Sequence, residues 1–76
     1  METKDLNHAA FLISRGQKLE NSRPDSDGRF WFIFTDNEEI DQLSKDYYMN
    51  DGTIQVQTFI NAQKTLKNLI RNYKSI

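Results

Sequence analysis

Hydrophobic residues near the start of the chain recur with a helical period. They fall at i, i+3, i+4 and i+7, which predicts a helix over residues 5–15 with one apolar stripe made of Leu6, Ala9, Ala10 and Ile13. Phe11 and Leu12 flank that stripe, so more than half of the helix circumference is apolar. We therefore expect this helix to lie at the centre of the fold. Thr3 or Asp5 is placed to cap its start.

A strand period appears further along, after a turn dipeptide. Asp27 and Gly28 predict a β-hairpin turn, so residues 29–35 are predicted to form the second strand of a hairpin. Side chains alternate between the two faces of a strand. One face holds three phenylalanines, Phe30, Phe32 and Phe34. Trp31 and Ile33 point to the other face, so both faces are apolar in a chain that is short for covering both sides of a sheet.

The first strand of this hairpin is predicted over residues 17–24, from a weaker pattern. Leu19 is its only strong hydrophobe, and the residues after it are polar. Pro24 cannot donate a hydrogen bond to a strand ladder, so it ends the strand or holds it at a sheet edge. Residues 24–28 form the connection to the aromatic strand.

A second helix is predicted after the aromatic strand. Thr35 with Glu38, or Asp36 with Glu39, has the spacing of a capping box. Acidic residues in a first turn also suit the positive end of the helix dipole. The apolar stripe of this helix consists of Ile40, Leu43 and Tyr47, with Tyr48 beside it. The turn signal at residues 50–52 ends the helix.

The last helix is predicted over residues 56–74 and is the longest element. Residues 53–56 are either a short third strand or the lead into this helix. The order α-β-β-α-(β)-α predicts a single small α+β domain over residues 1–76, with two layers, in which an antiparallel β-hairpin packs on helices. A mostly helical bundle with a β-hairpin flap is the alternative.

Composition narrows the chemistry of the chain. Its 76 residues include no cysteine, which excludes disulfides, thiolate catalysis and cysteine-ligated metal sites. Small secreted domains usually depend on disulfides, so we expect a cytoplasmic protein. The charged residues 1–5 are unlike a signal peptide, and no apolar run approaches the ~20 residues of a membrane span. We therefore expect no association with a membrane.

Charge is distributed unevenly along the chain, although the net charge is only −1. Residues 36–51 contain six acidic residues and a single base, Lys45. Four bases and no acidic side chain follow from Gly52 onward, and they fall within about 80° of one another on a helical wheel. These bases are Lys64, Lys67, Arg71 and Lys74. Either the two oppositely charged helices attract each other within the fold, or the basic helix meets an acidic partner.

Candidate catalytic groups are few. His8 is the only histidine and lies three residues after Asp5, which is the spacing of a base oriented by a carboxylate on one helix face. No cysteine is present, and no serine stands in a nucleophile-elbow motif. We therefore interpret His8 as a surface or half-buried residue without a catalytic role.

Two clusters of acidic residues resemble cation sites, but neither matches the full pattern of such a site. Residues 25–28 resemble the start of a calcium loop, but Arg29 and Asp36 stand at loop positions five and twelve. Turn chemistry explains residues 25–28, and helix capping explains the cluster of Asp36, Glu38 and Glu39. No phosphate-binding glycine motif is present. We expect a protein that is not an enzyme and that holds no metal or cofactor.

The favoured hypothesis is a protein-interaction module that binds a second copy of itself or another protein. It rests on the second apolar face of the aromatic strand, on tyrosines and on a free sheet edge, because tryptophan and tyrosine are enriched in interface hot spots. Its candidate residues are Trp31, Ile33, Tyr47 and Tyr48. The competing interpretation makes Trp31 an ordinary core residue, packed under a helix or under the stems of Arg29 and Lys18.

The alternative hypothesis is nucleic-acid binding. Exposed aromatic side chains on a strand stack on unpaired bases, and a basic stripe holds phosphates. The candidate set comprises Trp31, Lys64, Lys67, Arg71 and Lys74. The net charge of −1 and the scarcity of lysine and arginine in the aromatic strand count against this hypothesis.

Several stretches of the chain together resemble a known family. The pattern comprises Lys4-Asp5-Leu6, Ala9-Ala10-Phe11-Leu12, Gly16, Lys18-Leu19, Phe30, Phe32, Phe34, Asp36, Glu38-Glu39, Tyr47-Tyr48, Phe59, Asn61-Ala62 and Leu66-Lys67-Asn68-Leu69-Ile70. It resembles the DUF5659 type of small uncharacterised proteins of bacteria, archaea and their phages, over nearly the whole chain. The resemblance implies a small stand-alone domain, often from mobile elements, with no assigned activity or site. It also suggests an accessory protein that binds a host or replication component.

Overall fold

The computed structural model describes residues 1–74, with side chains described as far as Tyr73. This part of the chain forms strands and helices in the order β-α-β-β-α-α. The strands are β1 (Glu2–Thr3), β2 (Leu19–Pro24) and β3 (Phe30–Phe34). The helices are α1 (Leu6–Ser14), α2 (Glu38–Tyr48) and α3 (Val56–Lys74). The predicted α+β class and the hairpin of β2 with β3 are confirmed.

The aromatic strand β3 is the centre of an antiparallel sheet with the strand order β1-β3-β2. Gly28, in the hairpin turn, has a φ of 84°, a left-handed conformation that glycine adopts without strain. β1 was not predicted from the sequence, because a strand of two residues carries no periodicity. Thr3 lies opposite Phe32, and the Phe34 amide donates to the Met1 carbonyl at 2.8 Å, so β1 closes the second side of β3.

The core lies between the sheet and a layer of three helices. Phe30, Phe32 and Phe34 are each at most 4% exposed. Their helical partners in the core come from α1, α2 and α3, and they are Ala9, Ala10, Phe11, Leu12, Ile40, Leu43, Ala62 and Leu66. All three helices therefore pack on the phenylalanine side of the sheet.

α1 is the central helix, as its broad apolar surface predicted. Five consecutive residues, from His8 to Leu12, are buried, so the helix is enclosed on almost every side over that turn and a half. It packs extensively against α3 and also against α2. Asp5 is its N-cap, and the Asp5 carboxylate accepts the backbone N–H groups of Asn7 and His8 at 2.9 and 3.2 Å.

The capping boxes predicted for the second helix are wrong. α2 begins at Glu38, which makes Asn37 the N-cap, and the Asn37 amide oxygen accepts the Ile40 backbone N–H at 2.8 Å. Thr35 and Asp36 lie too far upstream to serve that amide. The acidic first turn of α2 is confirmed.

Residues 53–55 form a loop that leads into α3, so the second of the two predicted alternatives for this segment is confirmed and the short strand does not form. This loop crosses the outside of α1. A Cβ atom at Gly52 would lie 2.5 Å from Cζ of Phe11, so the backbone approaches the ring more closely than any other residue allows. Arg15 donates from Nη1 to the Thr53 carbonyl at 2.8 Å. These contacts direct the loop to the helix layer and away from the sheet.

Candidate functional site

The face of the sheet that points away from the helices carries Trp31 and Ile33. Both residues are half-buried, and neither belongs to the core cluster. Directly opposite residues of an antiparallel pair share a face, so the register places Glu2, Asn21 and Arg23 beside them. We call this surface the outer sheet face and define it by Glu2, Lys4, Asn21, Arg23, Trp31 and Ile33.

Two cationic side chains lie over the Trp31 ring. Lys4 Nζ is 5.0 Å from the ring centre and Arg23 Cζ is 5.5 Å from it. The interpretation of Trp31 as a residue under a helix is therefore wrong. Basic stems do flank the ring, but they come from Lys4 and Arg23, whereas Arg29 donates to the Lys4 carbonyl at 3.3 Å. The prediction that Arg29 and Lys18 flank the ring is wrong. Lys4 reaches the ring because it follows β1, and that strand was not predicted.

Both of these cations are already paired with carboxylates of the same chain. Arg23 Nη2 lies 2.9 Å from Glu2 Oε1. Lys4 Nζ forms an ion pair with Asp25 and a second one with Asp27, at 2.9 Å from Asp27 Oδ2. The side-chain hydrogen bonds to Asp25 and Asp27 raise the Lys4 pKa, and the same bonds from Lys4 lower the pKa of each carboxyl group. The Lys4 ammonium thus takes the position between the two loop carboxylates that a bound cation would occupy.

The outer edge of β2 is less open than the sequence suggested. Pro24 has no backbone N–H, and the Ser22 N–H is accepted by the side-chain oxygen of its neighbour Asn21 at 2.9 Å. The pairing with β3 is also irregular between Leu19 and Asn21. Proline, local capping and a bulge are devices that discourage edge-to-edge pairing of strands. These features disfavour the addition of a further strand at the β2 edge.

The two tyrosines predicted with Trp31 lie elsewhere, around the buried His8. The Tyr47 ring stacks on the His8 ring with a centre-to-centre distance of 5.0 Å, and Tyr48 meets it edge-on at 4.9 Å. Tyr47 also donates to Asp5 Oδ2 at 3.3 Å, and burial together with the Asp5 charge raises its pKa. The structure therefore separates the predicted set into two pairs, one on the outer sheet face and one in the helix layer.

His8 is buried among hydroxyl groups, whereas a surface or half-buried position was predicted. Its ring nitrogens lie 3.1 Å from Thr3 Oγ1 and 2.9 Å from Ser44 Oγ, with the Tyr48 hydroxyl 3.2 Å from Nδ1. The His8 ring makes no hydrogen bond to Asp5, although their spacing would allow one, because that carboxylate caps α1 instead. Burial lowers the His8 pKa, and the nearby Asp5 charge opposes this effect only in part. The side chain is only 2% exposed, so a substrate has no access to the ring.

A groove lies between the start of α1, the hairpin turn and the end of α3. It has a volume of about 460 Å³, with Phe30, Phe32 and Ile70 among its apolar lining. Its charged groups already have partners, because Lys4 pairs with the hairpin carboxylates, Asp5 caps α1 and Arg29 donates to the Lys4 carbonyl. We find no convergent set of catalytic groups around this groove.

The residues proposed for nucleic-acid binding do not form one surface. Lys64, Lys67 and Arg71 are exposed on α3, in the helix layer, whereas Trp31 lies on the outer sheet face. The side chain of Lys74 falls outside the described residues. The cations over the Trp31 ring also occupy space that a stacked base would need. The structure thus leaves the exposed bases of α3 and Trp31 as separate features.

Sequence reasoning missed Glu2, Lys4 and Arg23 as parts of the candidate surface. A signal for Arg23 was present, because counting back from the hairpin turn places it opposite Trp31. For Glu2 and Lys4 there was no such signal, since their positions depend on the unpredicted β1. Among the described residues, no helix is long and apolar enough to cross a membrane, and no three metal-ligating side chains converge.

Comparison with known proteins identifies a family without identifying an activity. No curated protein and no solved structure gives a significant match to the chain. A family model described as "Domain of unknown function (DUF5659)" matches residues 1–72. Because this match covers nearly the whole sequence, the chain belongs to the DUF5659 family.

Proposed function

We propose that this protein is a non-enzymatic interaction module that forms a homodimer through its outer sheet face. The observation that carries the proposal is the position of Trp31 and Ile33, which lie outside the core on the side of the sheet opposite to all three helices. Tryptophan contributes disproportionately to binding energy at protein interfaces. A small domain also gains stability when it buries such a surface in a partner.

The ion pairs around Trp31 favour burial of this face. An unpaired charge is costly to remove from water, but Arg23 is paired with Glu2 and Lys4 with Asp25 and Asp27. These charges therefore enter an interface with partners already in place. The stems of Lys4 and Arg23 add apolar area beside the tryptophan ring.

A second copy of the chain fits this face better than a strongly charged partner does. The outer sheet face carries both signs of charge close together, with Arg23 and Glu2 side by side. In a two-fold dimer the same surface meets itself, so each arginine also approaches the glutamate of the other copy. A surface with balanced charges gives little steering toward a strongly acidic or basic molecule.

Size-exclusion chromatography with light scattering, over a range of concentrations, tests this proposal. We expect a concentration-dependent dimer for the natural chain and a monomer for Ile33→Lys, which places a charge in the middle of the apolar pair. Asn68→Lys adds the same charge on an exposed position of α3 and is expected to behave like the natural chain. Circular dichroism of each variant checks that the fold is retained. A natural chain that stays monomeric at high concentration refutes the proposal.

The proposed cellular setting rests on composition and on the family resemblance. The composition without cysteine favours the cytoplasm. The family resemblance favours an accessory protein of a phage or another mobile element. Identification of the genes that flank members of this family tests it, since an accessory protein of this kind is expected beside phage or plasmid genes.

A further inference from the structure

The opposite charges of α2 and α3 do not neutralise each other within the molecule. α1 packs against both helices, and among the described side chains no ion pair joins α2 to α3. The carboxylates of α2 and the bases of α3 are exposed for the most part. Attraction between α2 and α3 within one molecule therefore does not explain these charges.

The exposed side of α3 combines an apolar end with a basic end. Five residues of this side fall within about 80° of one another on a helical wheel, beside the buried face of α3. They are Val56, Ile60, Lys64, Lys67 and Arg71. Val56 is 69% exposed and Ile60 is half-buried, although both are apolar. We call these five residues the basic stripe.

The exposed side of α2 carries the complementary pattern. Glu39, Gln42, Asp46 and Met49 also fall within about 80° on a helical wheel, and they form what we call the acidic stripe. Met49 follows the last turn of α2 and is 67% exposed. Asp46 is half-buried, and it accepts a hydrogen bond from Gln42 Nε2 at 2.9 Å.

We propose that the acidic stripe of one copy binds the basic stripe of a second copy, with the two helices antiparallel. Glu39 and Asp46 are seven residues apart, as are Lys64 and Arg71, and each spacing corresponds to about 10.5 Å along a helix. When Asp46 faces Lys64, Glu39 faces Arg71. The apolar ends then coincide, because Met49 lies beyond Asp46 and Ile60 lies beyond Lys64 on the same side. Antiparallel helix dipoles add to the attraction.

A second copy explains the basic stripe better than a nucleic acid does. Phosphates would account for Lys64, Lys67 and Arg71 but not for the exposed Val56 or the half-buried Ile60. In the proposed contact Ile60 lies beside Met49. The carboxylates of α2 and the net charge of −1 also oppose the approach of a polyanion. The contact is independent of the outer sheet face, so it links proposed dimers into larger assemblies.

Charge reversal tests this contact directly. Glu39→Lys with Asp46→Lys makes both stripes basic, and Lys64→Glu with Arg71→Glu makes both acidic. In the background of Ile33→Lys, which removes the proposed sheet contact, we expect each reversed variant to weaken the remaining association by about tenfold or more. An equal mixture of the two reversed variants, and a chain that carries all four reversals, are both expected to associate again.

Salt separates this contact from the one at the outer sheet face. Light scattering in about 0.01 M salt is expected to detect the helix contact, which is lost in about 1 M salt, where the Debye length falls to about 3 Å. Association that is insensitive to both salt and charge reversal overturns the proposal while leaving the sheet dimer intact. Loss of oligonucleotide binding on reversal of Lys64 and Arg71, without any self-association at low salt, also overturns it and assigns the basic stripe to nucleic acid.

Discussion

His8 illustrates how a residue with catalytic potential serves the fold instead. Its ring is held by Thr3 and Ser44 and lies between the rings of two tyrosines. A neutral imidazole suits these hydroxyl partners, since it donates with one nitrogen and accepts with the other. Protonation would place a positive charge in a buried site whose nearest carboxylate, on Asp5, is already engaged in capping.

The lowered pKa of His8 predicts a loss of stability in mild acid. Its pKa in the folded chain lies below the ordinary value of 6.5, so the unfolded chain takes up the proton first as the pH falls. The free energy of unfolding is therefore expected to be fully retained above about pH 7 and to decrease as the pH falls below about 6.5. Urea denaturation at several pH values measures this decrease. The variant His8→Gln lacks the titrating group and is expected to show a much flatter profile between about pH 7 and 5.

The two faces of β3 predict opposite sensitivities for adjacent residues. Phe32 is 1% exposed, and its replacement by alanine is expected to cost about 3–5 kcal/mol of unfolding free energy. Ile33 is half-buried on the outer sheet face, and Ile33→Ala is expected to cost the isolated chain less than about 2 kcal/mol. Urea denaturation at low protein concentration compares the pair. Equal losses would contradict the assignment of the two faces.

At the scale of elements, Lys4 joins the end of β1 to the hairpin turn. It forms ion pairs with Asp25 and Asp27. Nearby backbone N–H groups also donate hydrogen bonds to both carboxylates. The result is a three-stranded sheet in which the shortest strand is tied to the loop on the far side of β3. This tie also fixes the Lys4 stem over Trp31.

Removal of the Lys4 charge is expected to release both carboxyl groups. In Lys4→Met the pKa values of Asp25 and Asp27 should rise toward their ordinary value of 3.8, because the hydrogen bond from Lys4 is the largest cause of their depression. Titration of the carboxyl carbons by NMR measures both groups. Lys18→Met removes an exposed lysine that makes no such pair and should leave the two pKa values unchanged. Unchanged values in Lys4→Met would show that backbone hydrogen bonds alone set them.

Sequence reasoning predicted the elements whose pattern is long or marked by a turn. The hydrophobic period of α1 and the turn before β3 were enough to predict both elements and the three buried phenylalanines. The two-residue strand β1 lies below the length at which periodicity exists, so the neighbours of Trp31 were assigned wrongly. The N-cap of α2 was not predicted, because four adjacent residues, 35–38, all have side chains that are typical of helix N-termini. Tyr47 and Tyr48 were placed with Trp31 because the sequence pattern does not show on which face of the sheet each helix packs.

At the scale of the whole molecule, one-sided packing is the decisive property. The three helices cover the phenylalanine face, and α1 is enclosed between the other elements. The opposite face of the sheet then retains Trp31 and Ile33, which no helix of the described chain covers. Two surfaces on opposite layers, the outer sheet face and the charged stripes of α2 and α3, are thereby available to other molecules.

The fluorescence of Trp31 tests the central proposal most directly, because this residue is the only tryptophan in the chain. If the outer sheet face forms the dimer, the emission should shift to shorter wavelength and acrylamide quenching should weaken as protein concentration rises through the dimerisation range measured by light scattering. In Ile33→Lys both properties should stay constant. A dimer whose formation leaves the emission and quenching of Trp31 unchanged would contradict this account.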